Sequence, residues 1–343
     1  MRENGHLFGL HRVIEPAGGL PQASKRLDNS APHYDNEVVI DVATLNIDSA
    51  SFHQIKGEVG ADPDKIAERI MGIVAERGKM QNPVTGSGGM LLGTVVEIGP
   101  HYDGPVKVGD RVATLVSLTL TPLEIESITK VHLDSDQVDI KGRAYLWPSS
   151  PIVALPADLP ERLALSALDV CGAPAQTARL VQGARSVLIL GAGKSGMLCA
   201  AAAREVIGEN GSIYGFDLRS DNMLSLHQYG LMDTFRTGDA TRPTDVLDAV
   251  LDMTGGELVD VVINTCNIAN SEMGAILSTR DRGKVYFFNM ATDFSKAALG
   301  SEGVGKDVDL LIGNGFARGH AQMTLNLVRR HAGVREKLQE LLS

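Results

Sequence analysis

Ser186-Val187-Leu188-Ile189-Leu190-Gly191-Ala192-Gly193-Lys194-Ser195-Gly196 is the stretch on which the fold of this chain turns. Four consecutive apolar residues predict a short strand buried on both faces. The glycines that follow have the spacing G-x-G-x-x-G. Gly191 permits the tight turn out of the strand, Gly193 lets the backbone approach a pyrophosphate, and Gly196 lets the next helix pack closely on the sheet. The helix expected from Met197 to Val206 runs through the strong helix formers Ala200 to Ala203, and Lys194 and Ser195 before it are cofactor-binding candidates. Its N-terminus offers free N–H groups and a positive dipole end to phosphates. A second strand, Ser212 to Asp217, ends on a carboxylate 21 residues after Gly196. An acid there accepts the ribose hydroxyls and repels a 2′-phosphate, which predicts NAD rather than NADP. Arg219, two residues on, argues weakly the other way. The alternative is an ordinary strand-to-helix turn with a solvated acid at the next strand's end.

Outward from this motif the pattern alternates helix and strand from about residue 156. Pro160 to Leu180 reads as mainly helical, interrupted near Gly172 and Pro174. Helices near Met197–Val206 and 220–230 and strands at Leu258–Asn264 and Gly283–Asn289 follow. Such βα units imply a doubly wound parallel sheet, a Rossmann domain. Thr265 and Cys266, and Asn289 and Met290, follow strand ends, where open α/β sheets bind ligands. All four are therefore expected beside the nicotinamide. Gly313 to Arg318 is a glycine-marked return segment, and Ala321 to Leu342 reads as a C-terminal helix.

The first 150 residues read as mostly β. Strands are predicted at Glu37–Val42 and Leu91–Gly99, a turn and strand at Val106–Leu115, and a hairpin at Gln137–Tyr145. Between the first two strands, Ile66, Ile70, Ile73 and Val74 recur at helical spacing and predict a packing face. The expected division is a mainly β domain at 1–155, the nucleotide-binding domain at 156–304, and a C-terminal segment, 305–343, returning to the first domain.

The chain has 343 residues, enough for two domains, and a net charge of −10 that argues against nucleic-acid or anionic membrane partners. It is compatible with a cationic small-molecule substrate. The three cysteines, Cys171, Cys199 and Cys266, show no disulfide or C-x-x-C pattern. No run suits a signal peptide or membrane span, so a cytoplasmic setting is expected.

A β domain followed by these glycines resembles the medium-chain dehydrogenase/reductase superfamily. Val39 to Asp48, Pro83 to Gly99 and the Gly109-Asp110-Arg111-Val112 turn carry the resemblance. It implies a GroES-like N-terminal domain and a homodimer joined through the cofactor-domain sheets. Zinc members carry Cys where Asp48 stands, and His and Glu where Ser87 and Gly88 stand. A catalytic zinc needs three converging ligands, so no metal is expected. His53 matches the superfamily's proton-relay histidine, and Asp169 and Cys171 lie near its third metal ligand.

A closer resemblance spans nearly the whole chain. His11–Pro16, Leu45–Phe52, Asn82–Met90 and Leu168–Thr177 are similar to a family of diamino acid dehydrogenases of bacterial lysine fermentation. This implies NAD-dependent oxidative deamination of L-erythro-3,5-diaminohexanoate to 5-amino-3-oxohexanoate, ammonium and NADH. Such chemistry needs a base to free the amine lone pair. Asp48, His53 and Asp169 are the catalytic candidates, and Ser51, Ser87, Gly88, Cys171 and Arg318 the substrate-binding ones. Bland uses compete at each: a helix cap for Asp48, a surface histidine for His53, a packed thiol for Cys171, a turn at Ser87–Gly88, a solvated Arg318. Two other readings remain, a zinc-free quinone or enoyl reductase preferring NADPH, and a non-catalytic NAD-binding sensor.

Overall fold

The computed structural model describes residues 1–115 and 117–342. The chain divides into two units, Met1–Asp169 together with the residues from Leu341, and Val170–Glu340.

In the first unit, β1 (Val13–Glu15) and β2 (Arg26–Leu27) pair as a small antiparallel ribbon. The main sheet has six antiparallel strands: β3 (Val38–Ile47), β4 (Gly89–Ile98), β5 (Arg111–Thr114), β6 (Leu123–His132), β7 (Gln137–Leu146) and β8 (Ile152–Ala154), in the order β6-β7-β3-β4-β5-β8. Between β3 and β4 lie α1 (Ser49–Val59) and α2 (Pro63–Arg77). α2 is started by Asp62, whose carboxylate accepts from the N–H groups of Asp64 and Lys65, and by Pro63 in its first turn. It ends at Gly78 in the left-handed conformation. Ile66, Ile70, Ile73 and Val74 are buried in one cluster with Ile40, Leu45, Phe52 and Leu91. Each such side chain contributes up to about 1.5–3 kcal/mol. α3 (Glu161–Leu168) closes the unit.

The segment before β3 is tied down by a buried ion pair. Arg12 and Glu37 are both fully buried, with Nε to Oε1 at 2.8 Å and Nη2 to Oε2 at 2.6 Å. The Arg12 guanidinium lies 4.3 Å over the Tyr145 ring and donates to the carbonyls of Asp28 and Ser30. His11 accepts the His6 N–H at Nδ1, so its Nε2 must be the nitrogen that donates to Glu37, at 2.8 Å.

The second unit is a sheet of six parallel strands: β9 (Ser186–Leu190), β10 (Ser212–Asp217), β11 (Thr234–Thr237), β12 (Val259–Asn264), β13 (Thr279–Phe287) and β14 (Asp309–Ile312). Their order is β11-β10-β9-β12-β13-β14. The strand order reverses at β9, which makes its carboxyl end a topological switch point. Its helices are α4 (Gly172–Leu180), α5 (Lys194–Ile207), α6 (Asp221–Gln228), α7 (Pro243–Thr254), α8 (Glu272–Ser278), α9 (Phe294–Gly303), α10 (His320–Arg330) and α11 (Ala332–Glu340). Leu188, Leu190, Val262, Val285 and Phe287 form the centre of its core.

Some sequence expectations are corrected. Gln137–Tyr145 is not a hairpin but one strand, β7, paired along β6; the turn lies between them, with Asp136 at φ 56°. Gly142 sits in mid-strand because a Cβ there would stand 2.2 Å from the Glu124 carbonyl oxygen. The helical stretch before β9 breaks at Asp169–Cys171, not at Pro174, which falls in the first turn of α4. The C-terminal helix is two helices, because His331 is extended (φ −104°, ψ 91°).

Candidate active site

Parallel register puts Leu190, Asp217, Asn264, Phe287 and Ile312 at one end of the second sheet. The glycine turn leaves β9 there. Gly191 has φ 87°, a conformation that favours glycine. A Cβ on Gly196 would stand 1.9 Å from the Gly191 carbonyl oxygen, so this glycine is what lets α5 start so close to the strand. Nothing lies within 4 Å of a Cβ built on Gly193, which leaves open space before the first turn of α5. Lys194 and Ser195 are half-buried in that turn.

Asp217 closes the site laterally. Its Oδ2 accepts the Ala192 N–H at 2.7 Å and its Oδ1 accepts the Arg219 N–H at 3.0 Å. The Ala192 carbonyl in turn takes Asn222 Nδ2 at 2.9 Å. Thr265 donates its hydroxyl to the carbonyls of Leu190 and Gly191. Burial, and then the Asp217 charge, push the Cys266 thiol up to about 12, so it stays protonated. Asn289 Nδ2 meets Asn264 Oδ1 at 3.4 Å, while Met290 is 84% exposed. An open helix N-terminus, a close glycine turn and a carboxylate at the next strand end fit the pyrophosphate and ribose of a dinucleotide.

The other polar cluster lies in the first unit. Register between β3 and β4 pairs Ile47 with Gly89, which brings the start of α1 beside the 82–88 loop. Asp48 caps α1: its N–H donates to the Gly88 carbonyl, and its Oδ1 accepts from Ala50 N and Ser87 Oγ, each at 3.0 Å. Among the described residues nothing hydrogen-bonds its Oδ2. The fully buried Ser51 has its hydroxyl 2.6 Å from both Ser87 Oγ and Thr85 Oγ1. Asn82, also buried, holds the loop: its Nδ2 donates to Gln54 Oε1 and the Ser51 carbonyl, and its Oδ1 accepts the Val84 N–H. Gly88 packs backbone on backbone, since a Cβ there would stand 2.4 Å from the Met80 carbonyl oxygen.

Asp48, Ser51 and Ser87 are thus joined directly. His53 stands exposed on α1, its Nδ1 2.8 Å from the Ser49 carbonyl. A carbonyl only accepts, so the neutral ring keeps its proton on Nδ1 and a free lone pair on Nε2. Asp169 is half-buried at the end of α3. In the second unit Cys171 is buried, and its carbonyl takes the Thr324 hydroxyl at 3.3 Å. Arg318 is exposed in a segment whose neighbours Asn314 and Phe316 are held by Gln176. Sequence reasoning missed Thr85, Asn82 and Asn222. The first two lie within Asn82–Met90, a segment that carries the family resemblance without singling out either residue.

A parallel nucleotide-binding sheet preceded by an antiparallel GroES-like sheet defines a dehydrogenase fold of the medium-chain type. Galactitol-1-phosphate dehydrogenase from Escherichia coli shares it, with a TM-score of 0.56 at 14% identity over 88% of this chain and 84% of that one. Sequence comparison goes further. Residues 11–156 match the family model described as the L-erythro-3,5-diaminohexanoate dehydrogenase N-terminal domain. L-erythro-3,5-diaminohexanoate dehydrogenase of Acetoanaerobium sticklandii is 51% identical over 98% of this chain and 99% of its own length. The enzyme of that name from Fusobacterium nucleatum is 52% identical over 99% of each. The chain belongs to the L-erythro-3,5-diaminohexanoate dehydrogenase family.

Proposed function

We propose that this enzyme catalyses NAD-dependent oxidative deamination of L-erythro-3,5-diaminohexanoate at C3, with Asp48 as the proton acceptor and without a catalytic zinc. The observation that carries the reading is the Asp48 carboxylate. One oxygen is held by Ala50 N–H and Ser87 O–H, and the other has no hydrogen-bond partner among the described residues.

An ammonium has no lone pair to push, so the C3 amine must lose a proton first. Asp48 takes that proton on Oδ2, and once it has passed the proton on, the regenerated carboxylate steadies the iminium that forms. NAD, when bound, supplies the hydride acceptor. His53 Nε2 and Asp169 are the further groups proposed to activate the water that converts iminium to ketone and ammonia. Ser51, Ser87 and Gly88 shape the substrate side of the first unit. Arg318 is the proposed partner of the substrate carboxylate, and Cys171 is a further substrate-binding candidate of the second unit. Gly191, Gly193, Lys194, Ser195 and Gly196 hold the pyrophosphate; Asp217 and Arg219 hold the adenosine ribose; Thr265, Cys266, Asn289 and Met290 flank the nicotinamide. Asp217 supports NAD over NADP, because a second negative charge from a 2′-phosphate would meet the carboxylate. The zinc-free part of the proposal rests on Asp48, Ser87 and Gly88 standing where zinc members carry Cys, His and Glu.

A homodimer joined through the parallel sheets and a cytoplasmic setting complete the proposal. The edge strand β14 supports the dimer with its half-buried Leu310 and Leu311 and exposed Ile312. Among the described residues no helix is long and apolar enough to cross a membrane.

The test is NADH formation by metal-stripped protein given this substrate, with NAD and NADP compared and Asp48→Asn alongside. The expected result is metal-independent turnover that prefers NAD and falls about 10²–10⁴-fold in the variant. A requirement for added zinc, or wild-type turnover in Asp48→Asn, would overturn the corresponding part.

A further inference from the structure

The Asp48 carboxylate is the end of a line of hydroxyls. Ser87 Oγ lies 3.0 Å from Asp48 Oδ1, Ser51 Oγ 2.6 Å from Ser87 Oγ, and Thr85 Oγ1 2.6 Å from Ser51 Oγ. A carboxylate only accepts, so Ser87 must donate to Asp48, which leaves its oxygen able to accept from Ser51 Oγ, itself also 3.2 Å from the Ser87 carbonyl. Ser51 is wholly buried, Ser87 half-buried and Thr85 exposed. The line therefore begins at Asp48, passes through the protein and reaches solvent at Thr85. Cap formation does not require it: the Ala50 N–H already satisfies the capping role of Asp48. A direct contact of 3.1 Å between Thr85 and Ser87 gives a shorter branch that also ends on Thr85.

We propose that Thr85, through Ser51 and Ser87, is the proton exit of the active site, which rests on the reading of Asp48 as proton acceptor. Once Asp48 holds the substrate's proton on Oδ2, the carboxyl rotates to bring that O–H to Ser87 Oγ, and the three hydroxyls reverse their hydrogen bonds. Asp48 gives its proton to Ser87 Oγ, Ser87 to Ser51, Ser51 to Thr85 and Thr85 to water. Four O–H bonds break, four form, and one proton reaches solvent with the carboxylate regenerated. No electron moves in this step. Thr85 is thus a positioning residue that acts through Asp48, and Asn82 keeps it in place by fastening the loop to α1.

The experiment compares wild type, Thr85→Val, Thr85→Ser and Asp48→Asn with L-erythro-3,5-diaminohexanoate and NAD, in H₂O and in D₂O. Melting curves check that each variant is folded. Thr85→Val keeps the shape and removes the hydroxyl. Expected for it are a kcat about tenfold lower, part of the full general-base contribution, an unchanged KM for NAD, and a larger solvent isotope effect. Small buffers of pKa near 7 should restore part of its rate by taking the proton directly from Asp48. Thr85→Ser should return to within about twofold of wild type. An unchanged kcat and isotope effect in Thr85→Val would overturn the exit path, and so would a loss that neither serine nor buffer repairs. If Asp48→Asn is inactive while Thr85→Val is unaffected, the path fails and Asp48 stands. If Asp48→Asn turns over normally, both fall.

Discussion

Glu37 is a carboxylate with no access to water, held by groups that sequence reading did not bring together. Burial alone would raise its pKa. Hydrogen bonds from Arg12 and His11, the Arg12 charge and the Tyr34 N–H outweigh that and pull it from 4.5 to about 2. A carboxyl with a depressed folded pKa contributes stability that is complete above its unfolded value and is lost as pH falls. For Glu37 the window runs from 4.5 down to about 2 and is worth about 3 kcal/mol. Glu37→Gln leaves Arg12 buried without a counter-charge and should cost about 3–5 kcal/mol at neutral pH. Urea unfolding at pH 7 and pH 3 checks this: the gap between wild type and variant should narrow at the lower pH. A constant gap would remove Glu37 from the acid response. The same limits governed the site. Asp48, Ser51 and Ser87 could be named from their resemblance to a family pattern, whereas Thr85 is marked only by its distance to Ser51, which no local pattern encodes.

Among the elements, those with clean periodicity were legible. The four-residue stripe of α2 and the buried run of β9 each announce one face or two. β6 did not, because its apolar residues fall at Leu123, Ile125, Ile128 and Val131, two and then three residues apart, and its pairing with β7 shifts register twice. The bulges turn a strand's two-residue repeat into three, which resembles a loop or a helix more than a strand. β11 and β14 are four-residue strands at the sheet edges, too short to show alternation. The helix α5 owes its starting point to Gly196. A methyl group there meets backbone rather than a movable side chain, so Gly196→Ala must displace the helix from the strand. We expect a loss of about 1–3 kcal/mol in stability and a KM for NAD raised about tenfold, with the KM for the diamino acid little changed. Thermal unfolding and initial rates measure both; an unchanged KM for NAD would mean that the glycine turn does not hold the cofactor.

The whole molecule carries a net charge of −10, and its substrate bears two ammonium groups and one carboxylate. Opposite signs favour encounter, and salt screens them over about 10 Å at 0.1 M. Raising ionic strength from 0.02 to 0.3 M, roughly a fourfold shortening of that range, should lower kcat/KM for the diamino acid about two- to threefold. The corresponding value for the anionic NAD should rise or stay level. A fall for both would point to a general effect of salt on the protein instead. One peptide group described above has a consequence for timing. Ala192 is fastened through its N–H to Asp217 and through its carbonyl to Asn222, two side chains of the protein itself. The phosphate-facing turn is therefore already set, like a socket cut before the plug arrives. We expect dinucleotide capture without a slow rearrangement of this turn, so that its rate in stopped-flow binding follows collision frequency.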